Sequence, residues 1–195
     1  MVGVLALQGD FEAHVDALAA ADVPARPVRT AEEVRASDAL VIPGGESTTF
    51  RKLMEGTGID DAIREVARRG DPVLGTCAGA ILLAASVTNP PARGLGLLDV
   101  AVERNAYGRQ LDSTIVTLSD FDREVFGASP LEAVFIRAPR ITSVGKGVEV
   151  LARRDGDPVL VRQDNVVAAT FHPELSSDRR VAELFLSSRV RDSRR

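Results

Sequence analysis

Val73-Leu74-Gly75-Thr76-Cys77-Ala78-Gly79, followed by the apolar run from Ala80 to Ala85, is the stretch that decides the fold. A short apolar run ends at a glycine-flanked cysteine, and a longer one starts directly after it. This has the form of the G-x-S-x-G elbow, a sharp strand-to-helix turn that exposes a nucleophile. The flanking glycines let strand and helix approach more closely than a Cβ would permit. Cys77 then heads a helix, where backbone N–H groups and the positive end of the helix dipole favour a thiolate. Free cysteine is also among the most buried residue types, so a structural cysteine is the competing reading until a base is found elsewhere in the chain.

Upstream of the elbow, Val2 to Leu7 is apolar without alternation, as in a strand of a parallel sheet covered on both faces. Gln8-Gly9-Asp10 turns it. Phe11, Val15 and Leu18 then recur at helical spacing, so a helix starts at about Asp10, a natural N-cap. Ala25 to Val28 supplies a second strand weakened by Pro24 and Pro27, Glu32 to Arg35 a helical turn, and Ala39 to Ile42 a third strand ending at Pro43. Pro43-Gly44-Gly45-Glu46-Ser47-Thr48-Thr49 separates that strand from a helix carrying Phe50, Leu53 and Met54, with Ser47 or Thr48 as its cap. Such a loop lies at a carboxyl end of the sheet, where α/β proteins bind ligands. Standing alone it reads equally well as a plain glycine turn. Asp60 to Arg69 is an amphipathic helix through Ile63, Val66 and Ala67, closed by Gly70, and Pro72 to Leu74 leads back to the elbow. The alternation predicts an α/β fold of three layers: a central mixed, mostly parallel sheet with helices on both faces.

Downstream, from Leu95, strand-like segments become short: Leu97 to Glu103, Ser113 to Leu118, Ala133 to Ile136, Val148 to Ala152 and Pro158 to Arg162. They predict hairpins and a mixed sheet region, with Asp155-Gly156-Asp157 and Gly145 to Gly147 as turns between antiparallel neighbours. Arg104, in the polar segment Glu103 to Gln110, and Arg137, after Phe135-Ile136, are each either solvated surface arginines or anion ligands. Val166 to Thr170 is a last buried strand that delivers Phe171-His172-Pro173-Glu174. Asp178 then heads a closing helix with Val181, Leu184 and Phe185 inward.

With 195 residues the chain is expected to form a single domain over 1–188, leaving a basic, frayed tail at 189–195. Trp is absent and aromatics are scarce, so the core is built from Val, Leu, Ile and Ala. A net charge of -4 provides no basic field for nucleic acid. One cysteine excludes an internal disulfide, and no stretch has the length and hydropathy of a signal peptide or membrane span, so a cytoplasmic protein is expected.

The chain has two histidines. His172 ends a strand two residues before Glu174. In extended chain these positions point to one side, so the carboxylate can accept a proton from one ring nitrogen and orient the other. Nucleophile, base and orienter together have the logic of acyl transfer, in the order Cys77, His172, Glu174. A His-x-Glu pair alone would read as structural; the elbow cysteine turns it toward catalysis. His14, on the first helix, is expected at the surface or its boundary and has no role.

P-G-G-E-S-T-T, G-T-C-A-G and F-H-P-E, in this order, resemble the class I (triad) glutamine amidotransferases. V-E-R-N-A-Y-G-R-Q and F-I-R-A-P resemble one branch of them, the glutaminase subunits of pyridoxal 5'-phosphate synthase. The similarity runs from Val2 to Phe185 and implies a flavodoxin-like sheet. It also implies Cys77, His172 and Glu174 as triad, and Gly45, Glu46, Ser47, Arg104, Ile136 and Arg137 as glutamine-binding positions. The implied activity is hydrolysis of L-glutamine to L-glutamate and ammonia through a cysteine thioester. Ammonia would pass to a PdxS-type synthase subunit, a TIM barrel, in a hetero-oligomer that makes vitamin B6. Pyridoxal phosphate is the product there, so no cofactor and no metal are expected here.

Chemistry agrees with these assignments. Glutamine's carboxylate needs a cation and its ammonium an anion, which Arg104, Arg137 and Glu46 supply, while the backbone N–H groups of Gly45 and Ala78 suit an oxyanion. The peptide between Gly44 and Gly45, lacking side chains on either side, can turn over to make or unmake that hole. A cysteine hydrolase or peptidase with the same elbow, or a non-catalytic regulatory subunit, are the alternative readings.

Overall fold

The computed structural model describes residues 1–104 and 114–190. Its first half alternates β1 (Val2–Leu5), α1 (Phe11–Ala19), β2 (Ala25–Val28), α2 (Ala31–Arg35), β3 (Ala39–Ile42), α3 (Ser47–Met54), α4 (Ile59–Arg68), β4 (Val73–Thr76) and α5 (Ala78–Leu83). The second half is strand-rich: β5 (Ala84–Thr88), β6 (Ala92–Arg93), β7 (Leu98–Glu103), β8 (Thr114–Leu118), β9 (Asp120–Phe121), the short α6 (Arg123–Phe126), β10 (Leu131–Phe135), β11 (Arg140–Val144), β12 (Glu149–Arg154), β13 (Asp157–Gln163) and β14 (Val166–Ala169). A single 3-10 turn, Pro173–Leu175, precedes α7 (Arg180–Ser187).

Among the described residues the central sheet runs β2-β1-β3-β4-β14-β13-β12-β9. The pairings from β2 to β14 are parallel and those beyond are antiparallel. The alternation of side chains along the buried strands explains the three layers. Leu40 and Ile42 of β3 enter a core shared with Val34, Phe50, Ile59, Ile63 and Val66 of α2 to α4. Ala39 and Val41 face the opposite way, into a core with Leu18 of α1 and Val181, Leu184 and Phe185 of α7. Residues of β5, β7 and β11 add to the first core, so the smaller sheet β11-β7-β5-β6 packs on the α5 side. No helix among the described residues is long and apolar enough to cross a membrane.

Four local expectations are corrected. The first strand stops at Leu5 rather than Leu7, where the chain bends into the Gln8-Gly9 turn. The apolar run after the elbow is helical only to Leu83, because Ala84 pairs with Leu98 of β7 and starts a strand. Asp155-Gly156 does close the β12–β13 hairpin, but the turn Gly145 to Gly147 does not join paired neighbours: β11 pairs with β7 in the smaller sheet, and the Gly145 N–H donates to the Asp99 carbonyl at 2.7 Å. At the other end, Arg189 and Val190 are held rather than frayed. Arg189 Nη1 meets Asp71 Oδ1 at 2.8 Å, and the Val190 N–H donates to the Gly70 carbonyl at 3.0 Å.

Gly79 sits in α5 where a Cβ would overlap the Ile42 carbonyl oxygen at the end of β3. Alanine normally favours a helix interior over glycine, by about 0.5–1 kcal/mol. Here the backbone contact reverses the sign, and Gly79→Ala is expected to destabilise by about 1–3 kcal/mol, the usual cost of overpacking. Urea unfolding measures it. An unchanged or higher midpoint would show that helix and strand do not touch at this point.

Candidate active site

The elbow forms because β4 and α5 nearly collide. A Cβ on Gly75 would lie 2.7 Å from the Gly79 carbonyl carbon, so neither glycine tolerates a side chain. Cys77 between them adopts φ 48° and ψ −102°, a conformation that costs on the order of 1–3 kcal/mol and survives where its surroundings over-determine it. Its N–H donates to the Ala169 carbonyl of β14 at 2.9 Å and its carbonyl accepts from Ile81 N at 3.3 Å, so strand and helix together hold it. Sγ lies 4.0 Å from the Ile136 carbonyl, and Ala78 occupies the first helical position.

His172 follows β14 on the neighbouring strand end, and its N–H donates to the Val134 carbonyl at 2.8 Å. Its Nδ1 meets Glu174 Oε1 at 2.7 Å. The two residues face each other as expected, though by another route: Pro173–Leu175 is a 3-10 turn, not extended chain, with proline at its first position. Proline's fixed φ starts that turn and brings Glu174 round to the ring. Burial disfavours a charged His172, but hydrogen bonds and charge from Cys77 and Glu174 outweigh it and raise its pKa to about 10. The imidazolium supplies the positive charge that a thiolate nucleophile needs. The ring packs on Gly44, where a Cβ would lie 3.1 Å from Nδ1.

A cavity of about 370 Å³ opens in front of these groups, lined by Gly45, Glu46, Ser47, Cys77, Arg104, Ile136, Arg137 and His172. The structure thus brings together every predicted binding position. Glu174 stands behind His172, its side chain fully enclosed. Residues 105–113, with the expected polar segment Asn105 to Gln110, lie outside the described residues. Among the described residues no group of three or more His, Cys, Asp and Glu could hold a metal ion.

The cap of α3 is Glu46, not Ser47 or Thr48. Its carboxylate accepts from Thr48 N at 3.0 Å and Thr49 N at 2.8 Å, so one side chain satisfies two of the orphan amides that a hydroxyl would satisfy singly. Partial burial would raise its pKa, yet these amides and the Thr49 and Thr48 side chains bring it down to about 2. Arg104 Nη2 meets the same carboxylate at 3.1 Å and Thr48 Oγ1 at 2.9 Å. The charges expected for the two ends of glutamine therefore neutralise each other here. Arg137 is exposed, at φ 44°.

Three site residues escape the sequence reading. Gln8 clamps the Glu46 backbone, its Oε1 accepting from Glu46 N and its Nε2 donating to Glu46 O, both at 3.2 Å. Asp10 lines the cavity. Both sit in a stretch read as a turn with Asp10 as helix cap, although it ends a parallel strand on the ligand-binding edge; the Asp10 side chain makes no cap hydrogen bond to α1. His14 is corrected from surface to buried, 4% exposed, with Nε2 3.3 Å from Glu174 Oε2. The signal was its position on the face shared by Phe11 and Leu18.

The model of the SNO glutamine amidotransferase family matches residues 4–191. The chain belongs to that family. It is 54% identical over 185 residues to "Pyridoxal 5'-phosphate synthase subunit PdxT" of Koribacter versatilis, covering 95% of this chain and 93% of that one. The protein of the same name from Solibacter usitatus is 51% identical over 188 residues, covering 95% and 97%. A solved structure described as a glutamine amidotransferase superposes with a TM-score of 0.87 at 48% identity, covering 96% of this chain and 97% of that one. The fold is therefore that of the class I amidotransferases, and the chain is an enzyme of the glutaminase type.

Because His172 is held charged by its neighbours, kcat/KM should fall as pH rises through about 10, where its proton is lost. Glu174→Gln removes one of the causes of that rise, so the alkaline limb should move to lower pH. The same change should lower kcat by about 10²-fold or more with a smaller effect on KM. A pH–rate profile of both proteins decides it, and an unmoved limb with unchanged kcat would mean that another group orients His172.

Proposed function

We propose that the chain hydrolyses L-glutamine with Cys77, His172 and Glu174 as its triad and delivers the ammonia to a synthase subunit for pyridoxal 5'-phosphate, the vitamin B6 cofactor. The observation that supports it most is the Nδ1–Oε1 contact of 2.7 Å between His172 and Glu174, behind a ring that shares one cavity with Cys77. The Cys77 thiolate attacks the side-chain amide carbon, and the carbonyl electron pair moves to oxygen, where the Gly45 and Ala78 N–H groups receive it. As the tetrahedral species collapses, the C–N bond breaks and His172 gives its proton to the departing nitrogen, releasing ammonia. Water then attacks the thioester, His172 takes its proton, and the thiolate leaves glutamate behind. Glu174 stays ionised throughout and keeps the imidazole in the required orientation.

Gly45, Glu46, Ser47, Arg104, Ile136 and Arg137 shape the glutamine site, with arginine for the α-carboxylate and Glu46 for the ammonium. The partner is a PdxS-type subunit, a TIM barrel joined to this chain in a hetero-oligomer, a reading supported by the PdxT relatives. A single glutaminase domain over 1–188, working in the cytoplasm and without a cofactor of its own, completes the proposal.

Glutaminase activity measured with and without such a synthase tests it. Cys77→Ala should lose turnover while keeping the wild-type fold, and a diazo-ketone analogue of glutamine should label Cys77 alone. Free chain should turn over slowly and docked chain much faster: one oxyanion donor is worth roughly 10²- to 10³-fold in kcat, and the Gly44-Gly45 peptide can supply or withhold it. Label on another residue, or near wild-type turnover in Cys77→Ala, overturns the triad; equal kcat in the free and docked chain overturns the gating.

A further inference from the structure

The buried edge of the site holds a group that the mechanism above does not use. His14 projects from α1 into the protein, 4% exposed, with Nε2 3.0 Å from Thr76 Oγ1 and 3.3 Å from Glu174 Oε2. Glu174 is enclosed completely and gives Oε1 to His172, while Oε2 has no well-directed hydrogen bond among the described residues. A buried carboxylate oxygen without a donor is costly, so the polar atom facing it matters.

We propose that His14 is a positioning residue for the triad, its Nε2–H standing between Thr76 Oγ1 and Glu174 Oε2 and holding the carboxylate toward His172. The proton is assigned by elimination. The carboxylate can only accept, whereas the threonine hydroxyl can donate or accept, so an unprotonated Nε2 would set a lone pair against a negative charge. Burial keeps the ring neutral, with Glu174 opposing and the positive His172 reinforcing that tendency, and Asp10 acting weakly from the start of α1. Neutrality is what the role needs. A charged His14 would offset the carboxylate and lower the basicity it lends to His172, while a neutral donor orients it and leaves its charge intact.

A cavity of about 190 Å³ lies next to these residues, but the Glu174 side chain is enclosed and does not open into it, so His14 Nε2 and Thr76 Oγ1 are the polar atoms at hand on that side. His14, Leu18, Leu74 and Phe185 are among its walls, and Glu174, Asp178 and Arg179 are its charged lining residues. The same imidazole touches Thr76, the residue before the nucleophile, so one side chain ties the carboxylate to the elbow.

The inference rests on the triad reading of Cys77, His172 and Glu174, and its test separates the two. Wild type, His14→Leu and His14→Gln are compared in alkylation of Cys77 by iodoacetamide at pH 7, and in kcat and KM for glutamine with the synthase present. Leucine fills the space without a donor; glutamine places an amide nitrogen near the former Nε2. His14→Leu should lower both the alkylation rate and kcat by about 10-fold, as when an outer partner of an active-site group is lost, with KM unchanged. His14→Gln should recover most of both. Wild-type rates in His14→Leu, or equal losses in both variants at wild-type melting temperature, overturn the proposal. If His14→Leu does not fold, His14→Asn, whose amide stops short of Oε2, replaces it, and wild-type rates there overturn it likewise. Wild type that alkylates readily but lacks glutaminase activity sinks the glutamine reading alone, because alkylation reports the thiolate without glutamine.

Discussion

The site depends on one close approach, that of α5 to the ends of β3 and β4. Gly79 lies against the Ile42 carbonyl and Gly75 against Gly79, with no room for a Cβ at either. Moving α5 outward by the width of a methyl group would carry Cys77 away from its neighbours on both sides. Parallel register then does the rest. Ile42 of β3 stands beside Gly75, and Ala169 of β14 beside Thr76, so the three strands end at one level. Whatever follows them in the chain, Gly44-Gly45, Cys77 or His172, is delivered to the same edge. This is how motifs far apart in sequence line a single cavity.

Electrostatics divides the site into a fixed half and an exchangeable half. His172 and Glu174 are buried together, and separating them would leave charge without water or partner. Glu46 and Arg104 are different: the carboxylate side chain is 54% exposed and the guanidinium side chain 17%, so water reaches the pair from the carboxylate side and screens it. It can open more readily than the enclosed pair of His172 and Glu174. The two members are not equally tied, however. Glu46 also caps α3 through two backbone amides, and Gln8 grips its backbone. Arg104 is therefore the less tied of the two, which suits the proposed roles of an arginine for glutamine's carboxylate and Glu46 for its ammonium.

Much of this is legible in the sequence because it is local. Unbroken apolar runs mark Val2 to Leu5, Ala39 to Ile42 and Val166 to Ala169, and the glycines around Cys77 announce their own steric reason. What escapes is set by contacts between distant segments. Serine and threonine are favoured caps by type, but Glu46 wins because a carboxylate reaches two amides at once. The Gly145 turn looks like a hairpin, yet β11 leaves for the smaller sheet, since pairing with β7 is a tertiary choice that no turn residue encodes. His14 stands between Ala13 and Val15 on a nine-residue helix, and only the fold reveals that Glu174 lies opposite.

The loop after β1 links the two halves of the site. A Cβ on Gly9 would overlap the Gly44 carbonyl, one on Gly45 would lie 2.6 Å from the Gln8 amide nitrogen, and one on Gly44 would press on the His172 ring. The Gly44-Gly45 peptide is thus free of side chains but not of neighbours. It cannot turn over alone, because its carbonyl is packed on Gly9 and the next residue is gripped by Gln8. Any force that reorients this peptide must also shift the stretch that starts α1. That same helix carries His14 to Glu174, one turn further on. A partner pressing on the β1–α1 loop would therefore act on the proposed oxyanion donor through Gly9 and on the Glu174 carboxylate through His14, by way of a single short helix.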